Sequence, residues 1–234
     1  MKKLAEFENI IGYSFKDKNI LSLALTHSSY ANEHKLGKFE YNERLEFLGD
    51  AVLEFFVSRY IFEKYPELPE GELTKLRASV VCEGSLAKKA LEIHLGDYLF
   101  LGKGEELTGG RSRESVLADA FEAVIGAVIM DGGIDSAEKY VMGLMKSVIE
   151  SVRGSFMLMD FKTRLQEEIQ KFSKESVVYT IVNETGPDHG KLFEAEVSHN
   201  GEVLGYGSGR SKKEAEQNSA KDALAKLNVS KNAD

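Results

Sequence analysis

The sequence predicts an all-α domain followed by a smaller α+β domain with the element order α-β-β-β-α. Apolar residues recur three and four positions apart through most of residues 1–153, which is the period of an amphipathic helix. After Gly154 the pattern changes to short alternating runs separated by turn-forming residues. The 234 residues are enough for two domains, and 42% of them are hydrophobic, as in globular proteins.

Helices account for the first domain, which we place at residues 1–153. The helix that carries Leu45, Leu48 and Val52 ends before Pro66, since proline cannot continue a helix. The later segments, in order, are a helix at 73–95, a glycine-rich loop at 102–110, a helix at 115–130 that stops at Gly132-Gly133, and a helix at about 135–152.

The second domain spans residues 160–229, after a linker at 154–159 and before a tail at 230–234. Its elements are predicted as a helix at 161–172, strands at 177–182, 192–197 and 203–206, and a helix at 212–227. Asn200-Gly201 is a strong signal for a hairpin between the last two strands. Ser211 and Glu214 have the spacing of a capping box, which marks the start of the last helix.

Composition excludes several classes of protein. The single cysteine, Cys82, cannot form an intrachain disulfide or a multi-cysteine zinc site, and we interpret it as a small buried residue. Glu6 and Glu8 would interrupt any signal-peptide core, and no apolar run is long enough to cross a bilayer. We therefore expect a cytoplasmic protein without a membrane segment. The formal net charge of −8 argues against a uniformly basic nucleic-acid binder.

Two predicted helices carry acidic side chains on one face. Glu43, Glu46 and Asp50 are spaced i, i+3 and i+7 on the first helix, and Asp119 and Glu122 are spaced i, i+3 on the second. A solvated surface is the ordinary interpretation of such spacing. A cation site is favoured because Glu46 and Asp50 lack a basic residue spaced to pair with both, and the second helix contains no basic residue. Oxygen ligands without histidine or cysteine suit Mg²⁺ better than zinc.

Four motifs together resemble the ribonuclease III family. In chain order they are Thr26-His27-Ser28-Ser29-Tyr30, Asn42-Glu43-Arg44-Leu45-Glu46-Phe47-Leu48-Gly49-Asp50, Pro69-Glu70-Gly71-Glu72-Leu73-Thr74 and Leu117-Ala118-Asp119-Ala120-Phe121-Glu122-Ala123. An acidic pair alone would be a weak signal, whereas four ordered matches over about the first 130 residues are a strong one. The resemblance implies a helical endonuclease that cuts double-stranded RNA with Mg²⁺, for which Mn²⁺ can substitute, and that uses no organic cofactor.

The resemblance also implies which acids act. Carried over by position, the metal centre consists of Glu46, Asp50, Asp119 and Glu122. Within this set, Asp50 and Glu122 are expected to be the most sensitive for the chemical step. Glu43 and Glu70 match two further acids at the edge of the cleft or in subunit contacts, for which surface salt bridges remain the alternative. His27 is expected to make structural hydrogen bonds, and both one and two ions per site remain open.

The second domain resembles a double-stranded-RNA-binding domain. The resemblance implies contacts from its first helix, from the turn between its first two strands and from the start of its last helix. The residues are Gln166 and Glu167, then Gly186, Pro187, Asp188 and His189, then Lys212 and Lys213. Lysines are unfavourable in the first turn of a helix, so Lys212 and Lys213 favour an anion site over a solvated pair. We expect Arg111 and Arg113 to supply further cations, and Glu216, where many such domains have lysine, to keep the affinity modest.

The family resemblance also implies a symmetric homodimer, because a duplex has two strands and each centre cuts one. Phe47, Phe55 and Phe56 make the first acidic helix apolar on more than one face, which either a subunit interface or a larger core would bury. Products with 5′ phosphates and short 3′ overhangs are implied, from ribosomal RNA precursors and some messenger RNAs. Two alternatives remain: a non-catalytic double-stranded-RNA-binding or ribosome-associated protein of the same fold, and an acidic scaffold without RNA affinity.

Overall fold

The structure is a computed structural model that describes residues 2–159, 161–187 and 190–231. The chain divides into two compact units, Met1–Val152 and Arg153–Asp234. In the described residues the elements are α1 (Lys2–Ile11), α2 (Lys18–Ala24), α3 (Ser28–His34), α4 (Glu43–Lys64), α5 (Glu70–Val80), α6 (Glu83–Glu92), α7 (Lys103–Leu107), α8 (Glu114–Met159), α9 (Phe161–Gln170), β1 (Val178–Thr185), β2 (Leu192–His199), β3 (Glu202–Gly209) and α10 (Lys212–Lys231). This order confirms the predicted fold class.

The core of the first unit forms around the first part of α8. Leu117, Phe121 and Val124 are fully buried there, because this stretch is apolar on nearly all of its faces. Gly133 has φ 76° and ψ −174°, which breaks α8 at the glycine pair where a helix stop is predicted. Its second part, by contrast, alternates buried and exposed side chains.

One predicted helix is two helices in the structure. The pattern at residues 73–95 predicts a single helix, whereas α5 ends at Val80 and α6 begins at Glu83. Cys82 has an extended backbone, and the β-branched pair Val80-Val81 lowers the tendency of the chain to stay helical. Cys82 lies at the resulting turn and is exposed, so its interpretation as a buried residue is wrong.

Two other segments are more helical than the sequence pattern indicates. The glycine-rich loop at 102–110 contains α7, and the expected linker at 154–159 is helical as far as Met159. Leucine and methionine are strong helix formers, which accounts for continued helix after Gly154. Among the helices that the structure describes, none has the length and apolar character needed to cross a membrane.

The second unit is a three-stranded antiparallel sheet in the order β1-β2-β3, covered by α10, with α9 packed beside α10. A Cβ on Gly207 of β3 would lie 2.1 Å from the backbone nitrogen of Ser219 in α10, so glycine is required for this contact. The buried core consists of Leu165, Ile169, Val197, Ala220, Ala223 and Leu224.

Side chains of α10 also bond to the outer edge of β3. The carboxylate of Asp222 accepts a hydrogen bond from the backbone N–H of Tyr206 at 2.9 Å. The side-chain amide of Asn218 donates to the carbonyl oxygen of Ser208 at 2.7 Å. Because β3 is the last strand of the sheet, these backbone groups have no strand partner on that side.

Candidate metal centre and RNA-binding surface

The candidate metal centre forms where α4 crosses the first part of α8. A Cβ on Gly49 would lie 1.8 Å from the carbonyl oxygen of Glu122, and one on Gly126 would lie 2.0 Å from that of Leu45. Only glycine at both positions allows the two backbones to approach this closely. Glu46 and Glu122 each lie about one turn before their glycine, so the crossing brings the two acidic faces together.

Three of the four predicted metal ligands converge at this crossing. Carboxylate oxygens of Glu46, Asp119 and Glu122 lie within 4.8 Å of one another, and all three side chains are half-buried. The fourth residue, Asp50, is exposed and lies outside this group. Asp50 is nevertheless close enough for its charge to raise the pKa of both Glu46 and Glu122.

The cluster is electrostatically unfavourable without a cation. Burial, followed by the charges of Asp50, Glu46 and Asp119, raises the pKa of Glu122 to about 8. Burial is also the main cause that raises the pKa of Glu46 and of Asp119, and nearby acids add to it. A divalent cation would offset this repulsion, and three carboxylates at this spacing fit a hard ion such as Mg²⁺.

The two further acids occupy different places. Glu43 is exposed in the first turn of α4, and its charge raises the pKa of Glu46 and Asp119, so it lies at the edge of the cluster. Glu70 is exposed in the first turn of α5, where its carboxylate accepts a hydrogen bond from the Thr74 hydroxyl at 3.0 Å. It also lines a groove of about 330 Å³ beside exposed aromatic side chains of α4.

His27 makes the structural hydrogen bonds that the sequence predicts. It is the N-cap of α3, and its Nδ1 accepts from the backbone N–H of Ser29 at 3.2 Å. The same nitrogen is 2.8 Å from the Ser29 hydroxyl. His27 is also near enough to Asp119 to lower the pKa of that carboxyl, which partly opposes the effect of burial.

The two arginines expected to meet RNA are engaged within the first unit. Arg111 Nη1 donates to the carbonyl oxygens of Gly96 and Leu99 at 2.8 and 2.9 Å, and its Nε donates to Glu106 at 2.7 Å. Arg113 is paired with Glu105 at 2.5 Å. These bonds hold the 102–113 segment together, and the expected role of Arg111 and Arg113 in RNA binding stays a prediction.

In the second unit, two of the predicted RNA-binding regions are exposed. Lys212 and Lys213 project from the first turn of α10, and Pro187 is exposed in the turn after β1. Asp188 and His189 lie outside the described residues. The hydroxyl of Ser211 accepts the N–H of Glu214 at 3.2 Å, as a capping box requires. The Glu214 carboxylate, however, accepts from the backbone of Arg210 at 2.7 Å rather than from Ser211.

The exposed face of α9, the first helix of this unit, differs from the RNA-binding face that the sequence predicts. Glu167 is exposed, but Gln166 turns inward: its Oε1 accepts from the N–H of Val177 at 3.2 Å and its Nε2 is buried. The exposed positions of α9 are Thr163, Arg164, Glu167 and Gln170. Thr163, Arg164 and Gln170 were not predicted, although the periodicity of the helix places them away from its buried face.

Glu216 is paired within the second unit. Its carboxylate lies 2.8 Å from the ammonium group of Lys162 on α9. This lysine also lies 4.0 Å from the ring centroid of Tyr179, so the pair links α9, β1 and α10. More than half of each side chain is shielded from solvent, so salt screens this ion pair less than it screens a pair on the surface.

The chain matches two protein families and aligns with relatives over nearly its full length. Residues 17–148 match the family described as "Ribonuclease-III-like", and residues 161–227 match the "Double-stranded RNA binding motif". It is 51% identical to Ribonuclease 3 of Bacillus velezensis, over 97% of this chain and 91% of that protein. It is 50% identical to Ribonuclease 3 of Clostridium perfringens, over 96% and 94% respectively. The solved nuclease domain of ribonuclease III from Campylobacter jejuni is 44% identical, with a TM-score of 0.58, and covers 63% of this chain and 96% of that domain.

Proposed function

Because the chain belongs to the ribonuclease III family of double-stranded-RNA endoribonucleases, we propose that the cluster at the α4–α8 crossing is its hydrolytic centre. The observation that carries the proposal is the convergence of Glu46, Asp119 and Glu122 within 4.8 Å. Burial and nearby acids raise the pKa of all three carboxyls, so the cluster is costly for stability, and a bound divalent cation would offset that cost.

Each acid has its own part in the proposal. Glu46, Asp119 and Glu122 would hold Mg²⁺, with Mn²⁺ as a substitute. When bound, the ion lowers the pKa of a water nucleophile and offsets charge on the phosphate oxygens. Asp50, which is exposed beside the cluster, can accept a hydrogen bond from the attacking water and orient it. Glu122 must lose the proton that its raised pKa favours, so cation binding and its deprotonation are coupled.

The second unit supplies duplex binding in this proposal. Lys212 and Lys213 meet phosphates, while the turn that contains Pro187, Asp188 and His189 and the exposed face of α9 near Glu167 meet the flanking minor grooves. Such an arrangement reads the A-form shape and the 2′-hydroxyl groups with little sequence preference. Since Glu216 is paired with Lys162, its charge is partly offset before RNA arrives.

We also propose that the active species is a homodimer formed through α4. Phe47, Phe55 and Phe62 on this helix are 80%, 54% and 69% exposed in the single chain, whereas Phe56 is in the core. A second copy would remove these rings from water. A solved Campylobacter jejuni nuclease domain is described as having a region involved in dimer formation.

The two centres of a homodimer would each cut one strand of the duplex. The products would carry 5′ phosphates and short 3′ overhangs. The substrates in this proposal are ribosomal RNA precursors and messenger RNAs in the cytoplasm.

Cleavage of a long RNA duplex with Mg²⁺ tests the assignment of the centre. Glu122→Ala and Glu122→Gln should bind the duplex but not cut it, because the ion is lost while the second unit is intact. Glu150→Gln, an exposed acid elsewhere on α8, is the matched control and should cut normally. Comparable cutting by Glu122→Ala and wild type would overturn the assignment.

A further inference from the structure

Residues 36–41 connect α3 to α4, and we call them the Phe39 loop. The loop is exposed except at Tyr41, which is half-buried, and it is anchored at both ends. At its start, Lys35 ends α3 in a left-handed conformation with φ 53°. At its end, Asn42 is buried and donates its backbone N–H to the carbonyl oxygen of Thr26 at 2.9 Å. The loop is therefore a short projection held on a fixed base.

Phe39 is held in a conformation that its side chain disfavours. Its φ is 74°, in the region that favours glycine, and its ring is 47% exposed. The Glu40 carboxylate accepts the N–H of Gly37 at 2.6 Å, and the Glu40 N–H donates to the carbonyl oxygen of Gly37 at 3.1 Å. The chain thus accepts both backbone strain and an exposed ring here, and strain that persists in this way is typical of functional sites.

Two cations flank this ring. Lys38 Nζ is 4.9 Å from the centroid of the Phe39 ring, and Arg44 Cζ is 5.2 Å from it. Neither cation forms an ion pair or a side-chain hydrogen bond within the described ranges 2–159, 161–187 and 190–231. Arg111 and Arg113, in contrast, are occupied by carboxylates and carbonyl oxygens.

The base of the loop lies beside the carboxylate cluster. Asn42 precedes Glu43 and Glu46 in the first turn of α4. Thr26, which bonds to Asn42, precedes His27, whose charge acts on Asp119. A duplex that reaches the cluster is therefore within range of the loop.

We propose that the Phe39 loop is an RNA contact of the catalytic unit: Lys38 and Arg44 bind phosphates of one strand, and the ring of Phe39 packs on a ribose between them. This rests on the proposed function of the cluster. The minor groove of A-form RNA is wide and shallow and presents its riboses, so an exposed ring can reach them. Cations at this position also reduce the repulsion between an acidic cluster and an anionic substrate.

Steady-state cleavage and metal-free binding of an RNA duplex by the full chain test this role. Lys38→Ala should raise KM about threefold to tenfold with kcat unchanged, and should reduce the slope of log affinity against log salt by about 1. Phe39→Gly should raise KM without lowering the melting temperature, because glycine adopts a φ of 74° freely. Phe39→Trp, which keeps a ring, should stay near the wild-type KM.

Lys64→Ala is the matched control, since this exposed lysine lies at the other end of α4. If wild type cuts and Lys38→Ala and Phe39→Gly behave like Lys64→Ala, the loop has no role in binding and the inference is overturned, while the proposed function stands. If wild type does not cut, the proposed function fails, and the salt slope of metal-free binding alone decides the role of the loop.

Discussion

Both units bring two backbones into contact through glycine, and the results are opposite. At the α4–α8 crossing, Gly49 and Gly126 let the two helices approach closely, and burial of Glu122, followed by the charges of the neighbouring acids, raises its pKa to about 8. At the β3–α10 contact, Gly207 lets a helix lie on a strand next to the buried apolar cluster of the second unit. The first contact opposes stability and the second supports it. The first contact therefore indicates a functional site, because stability alone does not explain it.

The largest expected effect comes from adding a methyl group at the first contact. Gly126→Ala places a Cβ 2.0 Å from the carbonyl oxygen of Leu45, so α4 and α8 must separate. We expect cleavage to fall by at least two orders of magnitude, with a loss of about 1–3 kcal/mol in the free energy of unfolding. Gly143→Ala, on the same helix but with open space around its Cβ, should be neutral or stabilising. Normal cleavage by Gly126→Ala would show that the close crossing is unnecessary.

The same change at the second contact should affect binding rather than the metal centre. Gly207→Ala places a Cβ 2.1 Å from the Ser219 nitrogen, so we expect the second unit to unfold at lower temperature and duplex affinity to fall. Mn²⁺ binding by the acidic cluster, followed by calorimetry, should be unchanged. Ser208→Ala, at the adjacent exposed position of β3, is the control. Loss of Mn²⁺ binding in Gly207→Ala would contradict the expectation that the second unit does not affect the metal centre.

A smaller effect is expected from the two lysines that we propose to meet phosphates. Replacing both Lys212 and Lys213 with alanine should weaken binding to all duplexes alike and reduce the salt slope by about 2, since each lysine offsets about one phosphate. At saturating RNA, kcat should stay unchanged. Gel-shift titrations at several salt concentrations measure this, and an unaltered slope would place the phosphate contact elsewhere.

The last prediction concerns the pH dependence of stability in the metal-free protein, which does not cut RNA and so shows no effect on cleavage. The Glu122 carboxyl has a pKa of about 8 when folded and an ordinary value of 4.5 when unfolded, so the folded state binds more protons between these values. The melting temperature should therefore fall as pH rises from about 4.5 to 8 in chelator. Glu122→Gln should flatten this slope, and Mg²⁺ should stabilise wild type most at the upper end. An identical slope in Glu122→Gln would assign the effect to other groups.

Periodicity was sufficient to predict the longer helices, the three strands and the acidic faces, because each depends on spacing along one helix or strand. It could not predict that Asp50 lies outside the three-carboxylate group, that Gln166 turns inward or that Arg111 bonds to backbone carbonyls, because these depend on packing between elements. The available signal for the crossing was a glycine within each of two otherwise strong helices, at Gly49 and Gly126. The break at Cys82 had only the weak signal of two adjacent valines.

The side chains that α10 places along β3 bear on how the second unit behaves at high concentration. An open strand edge invites another chain to add a strand, which is a common route to aggregation. Asp222 and Asn218 already occupy the N–H of Tyr206 and the carbonyl oxygen of Ser208, two of the backbone groups that an incoming strand would need. Self-association through this edge is thereby disfavoured, and the helix that carries Lys212 and Lys213 also protects the sheet from unwanted polymerisation.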